Sequence, residues 1–255
     1  MLIDTHAHLT DPRYEGAAEI ISQMESDGLE RIITVGFNEF SSAYAVKLAE
    51  ENEKIFAAVG VHPSDAVEAG IGYLGAIKDL AQSSKCVAIG EIGLDYHYPD
   101  TDKEVQIRAL CEQLDLVKET NLPAVFHVRD AYGDFYEVIK QNRHKLTGGA
   151  IMHCFSGSKE TALQYLNMGF YISFSGSITF KNSKAGEIIE ALPTDKILIE
   201  TDCPYLAPTP HRGELNYPKY VLYQAQKIAE VKNMSVDEII KITAANAYKA
   251  FPKLK

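Results

Sequence analysis

The sequence has 255 residues, of which 46% are hydrophobic, and its net charge of −10 corresponds to a pI near 5.3. This charge argues against a broad electrostatic grip on nucleic acid, but it permits an enzyme that engages one strand end through metal ions and a few local cations. No apolar run approaches the length of a transmembrane helix, and the N-terminus lacks the basic and apolar regions of a signal peptide. The short apolar runs lead us to expect no membrane partner. The four cysteines form no C-x-x-C pair, so we also expect a reduced, cytoplasmic protein.

Apolar strand-type runs alternate with amphipathic helical segments along the whole chain. The predicted strands cover residues 2–8, 31–36, 55–61, 87–91, 123–127, 149–153, 170–175 and 196–202. The predicted helices cover residues 14–28, 40–52, 71–82, 102–120, 132–143, 159–168, 183–191, 218–231 and 235–250. Gly28 fits the end of the first helix, and Ser235 with Glu238 is typical of a capping box at the start of the last.

The alternation amounts to eight β-then-α units at a spacing of roughly thirty residues, with no linker between them. Such units form parallel sheets, and eight of them fit a (β/α)₈ TIM barrel made by residues 1–255 as a single domain. An open doubly wound sheet is the alternative. It would have to gather six ligand-type residues around one crevice, which a closed barrel does more easily.

Ligand-type side chains stand at the ends of five predicted strands. His6 and His8 share one face of the first strand, because residues two apart on a strand point the same way. The later strands end in Glu91, His127, His153 and Asp202. Functional residues of a barrel come from the carboxyl ends of its strands, so we expect all six to converge at one rim. Six ligands suit two divalent ions with a shared carboxylate, and Glu91 stands between the two groups in barrel order.

Seven short stretches carry a more specific resemblance. They are IDTHAH at 3–8, GVHP at 60–63, GEIGLDY at 90–96, HVR at 127–129, HCFSG at 153–157, ETDCPYL at 200–206 and PTPHRG at 208–213. With these motifs the sequence resembles the TatD-type metal-dependent deoxyribonuclease family, within the amidohydrolase-like barrels. The resemblance implies one metal ion held by His6, His8, Glu91 and Asp202, and a second held by Glu91, His127 and His153.

The sequence departs from the family pattern at two positions, and neither is a predicted ligand. Thr10 stands where the family usually has Asp or Asn after the first histidine motif. Gly133 stands where an acidic residue is common after the His127 motif, although Asp134 is adjacent. These departures concern the surroundings of the metal ligands and leave the ligand set complete.

Two divalent ions, which we expect to be Mg, Mn or Zn, would lower the pKa of a bound water and clamp the oxygens of an in-line displacement. Asp202 is placed to accept the proton of that water while it also binds metal, so Asp202 and Glu91 are the predicted catalytic residues. The predicted substrate-binding residues lie in loops after strands and are His62, Arg129 and Arg212. Lys181 is either a further phosphate ligand or a solvated loop cation.

The sequence therefore predicts metal-dependent hydrolysis of phosphodiesters, stepwise from the end of single-stranded DNA and without an obligate protein partner. A free strand end enters a narrow barrel mouth more easily than a continuous duplex does. A small-molecule amidohydrolase or ester hydrolase with the same metal centre is the alternative; the acidic net charge favours it and the loop arginines oppose it. A non-catalytic metal-dependent scaffold is a further alternative, which the complete ligand set with a potential base opposes.

Overall fold

The computed structural model describes residues 1–255. Its strands, β1 to β8, are Leu2–Ala7, Leu29–Val35, Ile55–Val59, Cys86–Asp95, Ala124–Arg129, Ala150–Met152, Tyr171–Phe174 and Ile197–Ile199. Its α-helices, α1 to α9, are Ala18–Gln23, Glu39–Glu50, Tyr73–Leu80, Lys103–Thr120, Tyr132–Asn142, Lys159–Asn167, Ala185–Ala191, Val221–Lys232 and Val236–Ala250. The eight strands follow one another in one sheet in chain order, and helices alternate with them. The prediction of a (β/α)₈ TIM-barrel fold is confirmed.

Among the predicted boundaries, the ends of β4 and β8 and the extent of α1 are wrong. Strand β4 continues past Glu91 to Asp95, because its last residues pair with β5 up to Arg129. Strand β8 ends at Ile199, so Asp202 lies beyond the strand. Helix α1 covers only Ala18–Gln23 rather than residues 14–28, and the chain turns back to β2 when the amide of Leu29 donates to the carbonyl of Met24.

The chain divides into two compact units, of which the first contains residues 1–34 and 154–249. Within this unit β1 is parallel to β2, and β7 is parallel to β8. The segment after β8 adjoins the end of β1 through a parallel bridge between Ala7 and Cys203. Helix α8 packs on β1 and β8, and its buried face includes Val221, Ala225 and Ile228. Residues that follow β1 and β8 are thereby held side by side.

The second unit contains residues 35–153 and 250–255, and its strands β3 to β6 pair in parallel. Helix α4 packs against β4, with Leu110, Leu114 and Val117 buried. On the same helix, Gln113 accepts a hydrogen bond from the Val61 amide at 2.7 Å and donates one to the Val61 carbonyl at 3.0 Å. A buried side-chain amide thus fixes the chain that leads into His62.

The last helix begins as predicted. The hydroxyl of Ser235 accepts from the Glu238 amide at 3.3 Å, and the Glu238 carboxylate accepts from the Ser235 amide at 3.0 Å. This reciprocal pair is a capping box, which satisfies amides at the start of α9 that have no partner within the helix. Among the helices, none combines the length and the apolar character needed to cross a membrane.

Candidate metal centre

The first unit brings together three predicted ligands, His6, His8 and Asp202. The Nε2 atoms of the two histidines are 3.4 Å apart. Oδ1 of Asp202 lies 3.8 Å from Nε2 of His6 and 3.4 Å from Nε2 of His8. His6 is fully buried and His8 nearly so, which keeps bulk water from competing for these donor atoms. Two imidazoles and one carboxylate at these separations form a compact donor set.

Backbone hydrogen bonds fix the two chain segments of this cluster against each other. The Asp202 amide donates to the His6 carbonyl at 2.9 Å, and the His8 amide donates to the Cys203 carbonyl at 2.7 Å. Asp202 itself adopts the left-handed conformation, with φ of 57°. Short polar residues such as aspartate tolerate this conformation, which turns the side chain back toward the histidines.

Beneath the same cluster, the buried carboxylate of Asp4 ties β1 to the segment after β8. Its Oδ1 accepts from the amides of His6 at 3.3 Å and Thr201 at 2.9 Å, and its Oδ2 accepts from the Thr201 hydroxyl. Burial raises the pKa of Asp4 to about 8, although the Thr201 donors act in the opposite direction. Asp4 therefore holds the residues that precede His6 and Asp202 in one arrangement.

The second unit brings together the other three predicted ligands, with His127 and His153 beside Glu91. Oε1 of Glu91 lies 2.8 Å from Nδ1 of His127 and 3.0 Å from Nε2 of His153. The carboxylate is buried, and burial alone would raise its pKa. A charge interaction with His153, and hydrogen bonds with His127 and His153, instead hold the pKa of Glu91 well below its usual range. Glu91 is therefore an anion surrounded by imidazoles.

The register between β4 and β5 explains how His127 reaches Glu91. Gly93 is the register partner of His127 in this parallel pair. A Cβ atom at Gly93 would overlap the backbone carbonyl of His127, and φ at this glycine is 150°. Only glycine allows the two strands to approach this closely.

Asp95, four residues after Glu91 on β4, contacts the other side of the same histidine. Its Oδ2 lies 3.0 Å from Nε2 of His127, opposite the Nδ1 that faces Glu91. Burial alone would lower the pKa of His127, but hydrogen bonds with Asp95 and Glu91 raise it. A carboxylate behind a metal-binding imidazole fixes the orientation of the ring and increases its basicity. The sequence interpretation missed Asp95 because it ended β4 at Glu91. The available signal was the separation of four residues, which places Asp95 and Glu91 on the same face of a continuous strand.

His62 lies beside this cluster, with its Nε2 3.7 Å from Oε1 of Glu91. Its Nδ1 accepts a hydrogen bond from the Ser64 amide at 3.1 Å. Burial lowers the pKa of His62 to about 3, so the ring is neutral. Because an amide only donates, the single ring proton must sit on Nε2. His62 therefore presents a hydrogen-bond donor, rather than a lone pair for a metal ion.

The donor atoms of the second unit fit a metal ion. One ligand atom from each of Glu91, His127 and His153 lies within 4.8 Å of the other two. Ligand atoms about 2 Å from a common ion are at most about 4 Å apart, so small side-chain adjustments suffice. Two histidines and a carboxylate are the protein ligands of several catalytic zinc sites, which keep a further position open for water or substrate. His6, His8 and Asp202 are the same donor set in the first unit.

The predicted cationic substrate ligands are exposed loop or strand-end residues. The prediction that Arg129 lies in a loop is wrong: β5 continues past His127 in register with β4, and Arg129 is its last residue, with an exposed side chain. Arg212 lies in the loop after β8, with its guanidinium carbon 4.5 Å from the centre of the Phe180 ring. Lys181, which follows Phe180, is also exposed. Their roles in substrate binding stay predictions.

The comparisons with known proteins cover nearly the whole chain. The family model described as TatD related DNase matches residues 3–252. A curated relative, the uncharacterized metal-dependent hydrolase YabD of Bacillus subtilis (strain 168), is 45% identical over 98% of this chain and 99% of YabD. The uncharacterized metal-dependent hydrolase YcfH of Escherichia coli (strain K12) is 32% identical over 98% of this chain and 95% of YcfH.

Solved structures support the fold at the same coverage. The crystal structure of YJJV, a TatD homolog from Escherichia coli K12, superposes with a TM-score of 0.93 at 30% identity and covers 98% of each chain. A TatD family hydrolase from Entamoeba histolytica superposes with a TM-score of 0.86 at 25% identity, over 98% of this chain and 97% of that one. Similarity therefore extends over both units.

Proposed function

The chain belongs to the TatD family of metal-dependent hydrolases, and from this premise we propose that it is a deoxyribonuclease that degrades single-stranded DNA from an end. One observation carries the proposal. Each unit contains a largely buried cluster of two histidines and one carboxylate, the donor set of a hydrolytic metal site. The clusters are His6, His8 and Asp202, and His127, His153 and Glu91.

We further propose that the two clusters serve one dinuclear centre, bridged by Glu91, in a single domain of residues 1–255. The support is the fold class, because the carboxyl ends of all strands of a (β/α)₈ barrel face one rim. His6, Glu91 and His127 lie in the carboxyl halves of β1, β4 and β5, and the other three residues follow a strand: His8 follows β1, His153 follows β6 and Asp202 follows β8. The proposed ions are Mg, Mn or Zn, since histidine with carboxylate suits several divalent metals.

Each residue then has a defined task. Divalent ions held by these ligands would supply an activated water and charge stabilisation for an in-line displacement at phosphorus. Asp202 accepts the proton of the attacking water. His62 donates a hydrogen bond from Nε2 to a phosphate oxygen and keeps its proton, and Arg129 and Arg212 bind phosphates that flank the scissile one.

The end-directed mode agrees with the charge of the protein. A net charge of −10 gives no broad basic surface that would hold a long duplex by many phosphates. A free single-stranded end needs only local cations and the metal centre. The cytoplasmic location stays a prediction.

The experiment that tests this proposal is a time course on an end-labelled single strand beside the same strand closed into a circle. It is run with each of Mg, Mn and Zn, and next to a panel of amides and carboxylic esters. We expect stepwise shortening of the linear strand and no cleavage of the circle. Equal rates on both would contradict the end-directed mode. Hydrolysis of an amide or ester without cleavage of either strand would favour the small-molecule hydrolase.

Arg212→Ala separates binding from chemistry in the same assay. If Arg212 holds a phosphate that is not cleaved, the variant should raise KM and leave kcat nearly unchanged. Arg143→Ala is a matched control, because Arg143 is also exposed and lies in a 3₁₀ turn after α5. An Arg212→Ala variant with unaltered KM would remove this residue from the substrate site.

A further inference from the structure

Arg13 and Tyr205 form a stacked pair next to the cluster of the first unit. The guanidinium carbon of Arg13 lies 4.0 Å from the centre of the Tyr205 ring. The same ring meets His8 edge-on, with ring centres 6.0 Å apart and an interplanar angle of 85°. Arg13 follows β1 and Tyr205 follows β8, so the pair stands in the two loops that carry His8 and Asp202. No part of the proposed hydrolysis uses it.

Asp11 holds the guanidinium in a fixed plane. Its carboxylate accepts two parallel hydrogen bonds, from Nε of Arg13 at 2.9 Å and from Nη2 at 2.8 Å. The hydrogen bonds from Arg13 hold the pKa of Asp11 below its usual range, so this carboxylate is charged. A bidentate fork of this kind is rigid and largely cancels the charge of the arginine. The result is a flat, nearly neutral surface rather than a free cation.

This surface is exposed although it is ordered. The side chain of Arg13 is 43% exposed, and Tyr205 is 47% exposed. Because Tyr205 covers one face of the guanidinium, a base that stacks on Arg13 would lie on the opposite face. Planar guanidinium and tyrosine surfaces are the groups on which proteins stack unpaired nucleobases.

Arg13 also lines a cavity of about 690 Å³, whose wall does not include Tyr205. Tyr14, Tyr217 and Lys219 line the same cavity, and Glu15, Glu19 and Asp27 also belong to its wall. The rings of Tyr14 and Tyr217 are 5.6 Å apart, and the Tyr14 hydroxyl donates to the Asn216 carbonyl at 2.6 Å. The volume is within the range of pockets that hold small ligands. Three carboxylates in the wall disfavour a phosphate there and suit the donor groups of a base or sugar.

We propose that the Arg13–Tyr205 stack and the cavity beyond it form a subsite for the nucleobase of the strand end next to the scissile phosphodiester. This inference rests on the proposed nuclease function and names the part of the substrate that the first unit recognises. In this arrangement the base lies on the outer face of Arg13, its edge faces the cavity, and the adjoining phosphodiester extends past Tyr205 toward His8. Arg13 and Tyr205 are positioning residues, because neither touches the reacting atoms.

The test uses two end-labelled single strands that differ only in the terminal residue at the end that is cleaved. One strand carries a normal nucleotide there, and the other carries an abasic tetrahydrofuran residue. We expect the wild-type protein to show a KM at least 10-fold lower for the strand with the base. Arg13→Ala should remove this preference by raising KM for that strand alone, with kcat nearly unchanged. Tyr205→Leu should act in the same direction, whereas Tyr205→Phe, which keeps the ring, should retain the preference.

A binding measurement reports the stack without turnover. The Asp202→Asn protein is mixed with a strand that carries 2-aminopurine at its end, whose fluorescence falls when the base stacks. We expect the fluorescence to be quenched when the strand binds the Asp202→Asn protein. In the double variant that also carries Arg13→Ala, the Kd obtained from this quenching should be at least 5-fold higher. The exposed Arg143 provides the matched control, since Arg143→Ala should leave both the preference and the quenching unchanged.

The outcomes separate this inference from the nuclease proposal. Cleavage of both strands with no preference for the base in the wild-type protein would overturn the subsite and leave the nuclease intact. An Arg13→Ala variant that loses activity equally on both strands would also overturn the subsite, because it would indicate a structural role. Failure to cleave any strand with any metal would overturn the nuclease proposal, and the subsite with it.

Discussion

Oδ2 of Asp95 lies 3.0 Å from Nε2 of His127, the ring nitrogen opposite the one that faces Glu91. The imidazole is therefore held between two carboxylates of the same strand. Since Asp95 occupies one nitrogen, only Nδ1 of His127 faces the cluster. The orientation of a predicted metal ligand thus depends on a residue that is not itself in the predicted ligand set.

Asp95→Asn should weaken metal binding while it preserves the fold. The amide lacks the negative charge that stabilises the His127 orientation, and loss of such a partner typically lowers metal affinity 10- to 100-fold. The measurement is a competition titration with a chromogenic chelator. Asp237→Asn, at an exposed position of α9, is the control. An affinity equal to that of wild type would show that Asp95 does not orient the ligand.

Glu91→Gln should lower the number of metal ions bound per chain by more than one. If Glu91 bridges two ions, its replacement removes a ligand from both. We expect chelator treatment of the wild-type protein to abolish hydrolysis and added divalent ions to restore it, because they generate the nucleophile. Metal per chain is measured by plasma mass spectrometry on both proteins. An unchanged content in the variant would rule out the bridge.

Asp202→Asn should remove most turnover without unfolding the protein. The substitution takes away a charged ligand and the proposed proton acceptor, and general base catalysis alone contributes about 10²- to 10⁴-fold in rate. The expected result is a fall in kcat of at least that size, with a circular dichroism spectrum like that of the wild type. A variant with kcat within about 10-fold of wild type would exclude Asp202 as the base.

Asp65→Asn should change the pH dependence of stability. Asp65 is half-buried, accepts a hydrogen bond from the Asn38 side chain at 3.0 Å, and burial raises its pKa. An acid with a raised pKa in the folded state keeps its proton longer than in the unfolded state. Its contribution to stability therefore falls as the pH rises from the ordinary aspartate pKa near 4 through the higher folded value.

Urea unfolding of both proteins between pH 4 and pH 7 measures this effect. The free energy of unfolding of the variant, relative to wild type, should increase as the pH rises across this window. Asp237→Asn, at an exposed position, is unfolded in parallel as the control for the loss of a surface carboxylate. A relative stability of Asp65→Asn that decreases with pH would mean that the pKa of Asp65 is lowered in the folded protein.

Much of the architecture followed from local pattern. The alternation of apolar runs and amphipathic segments predicted all eight strands and nine helices, because side-chain periodicity is a property of neighbouring residues. The capping box at Ser235 was predictable for the same reason, since it involves residues three apart. The length of β4 was not, because its last residues become strand only through their pairing with β5.

The sequence by itself determined which ligand-type residues stand in or soon after the carboxyl halves of the strands, and hence the candidate ligands His6, His8, Glu91, His127, His153 and Asp202. Only the tertiary structure decided which other groups act on them. Asp95 reaches His127 across 32 residues of chain, and Arg13 meets Tyr205 from the opposite end of the sequence. No local pattern encodes such pairs. Each forms because two strand ends, distant along the chain, adjoin once the sheet buries its apolar residues and pairs its backbone amides.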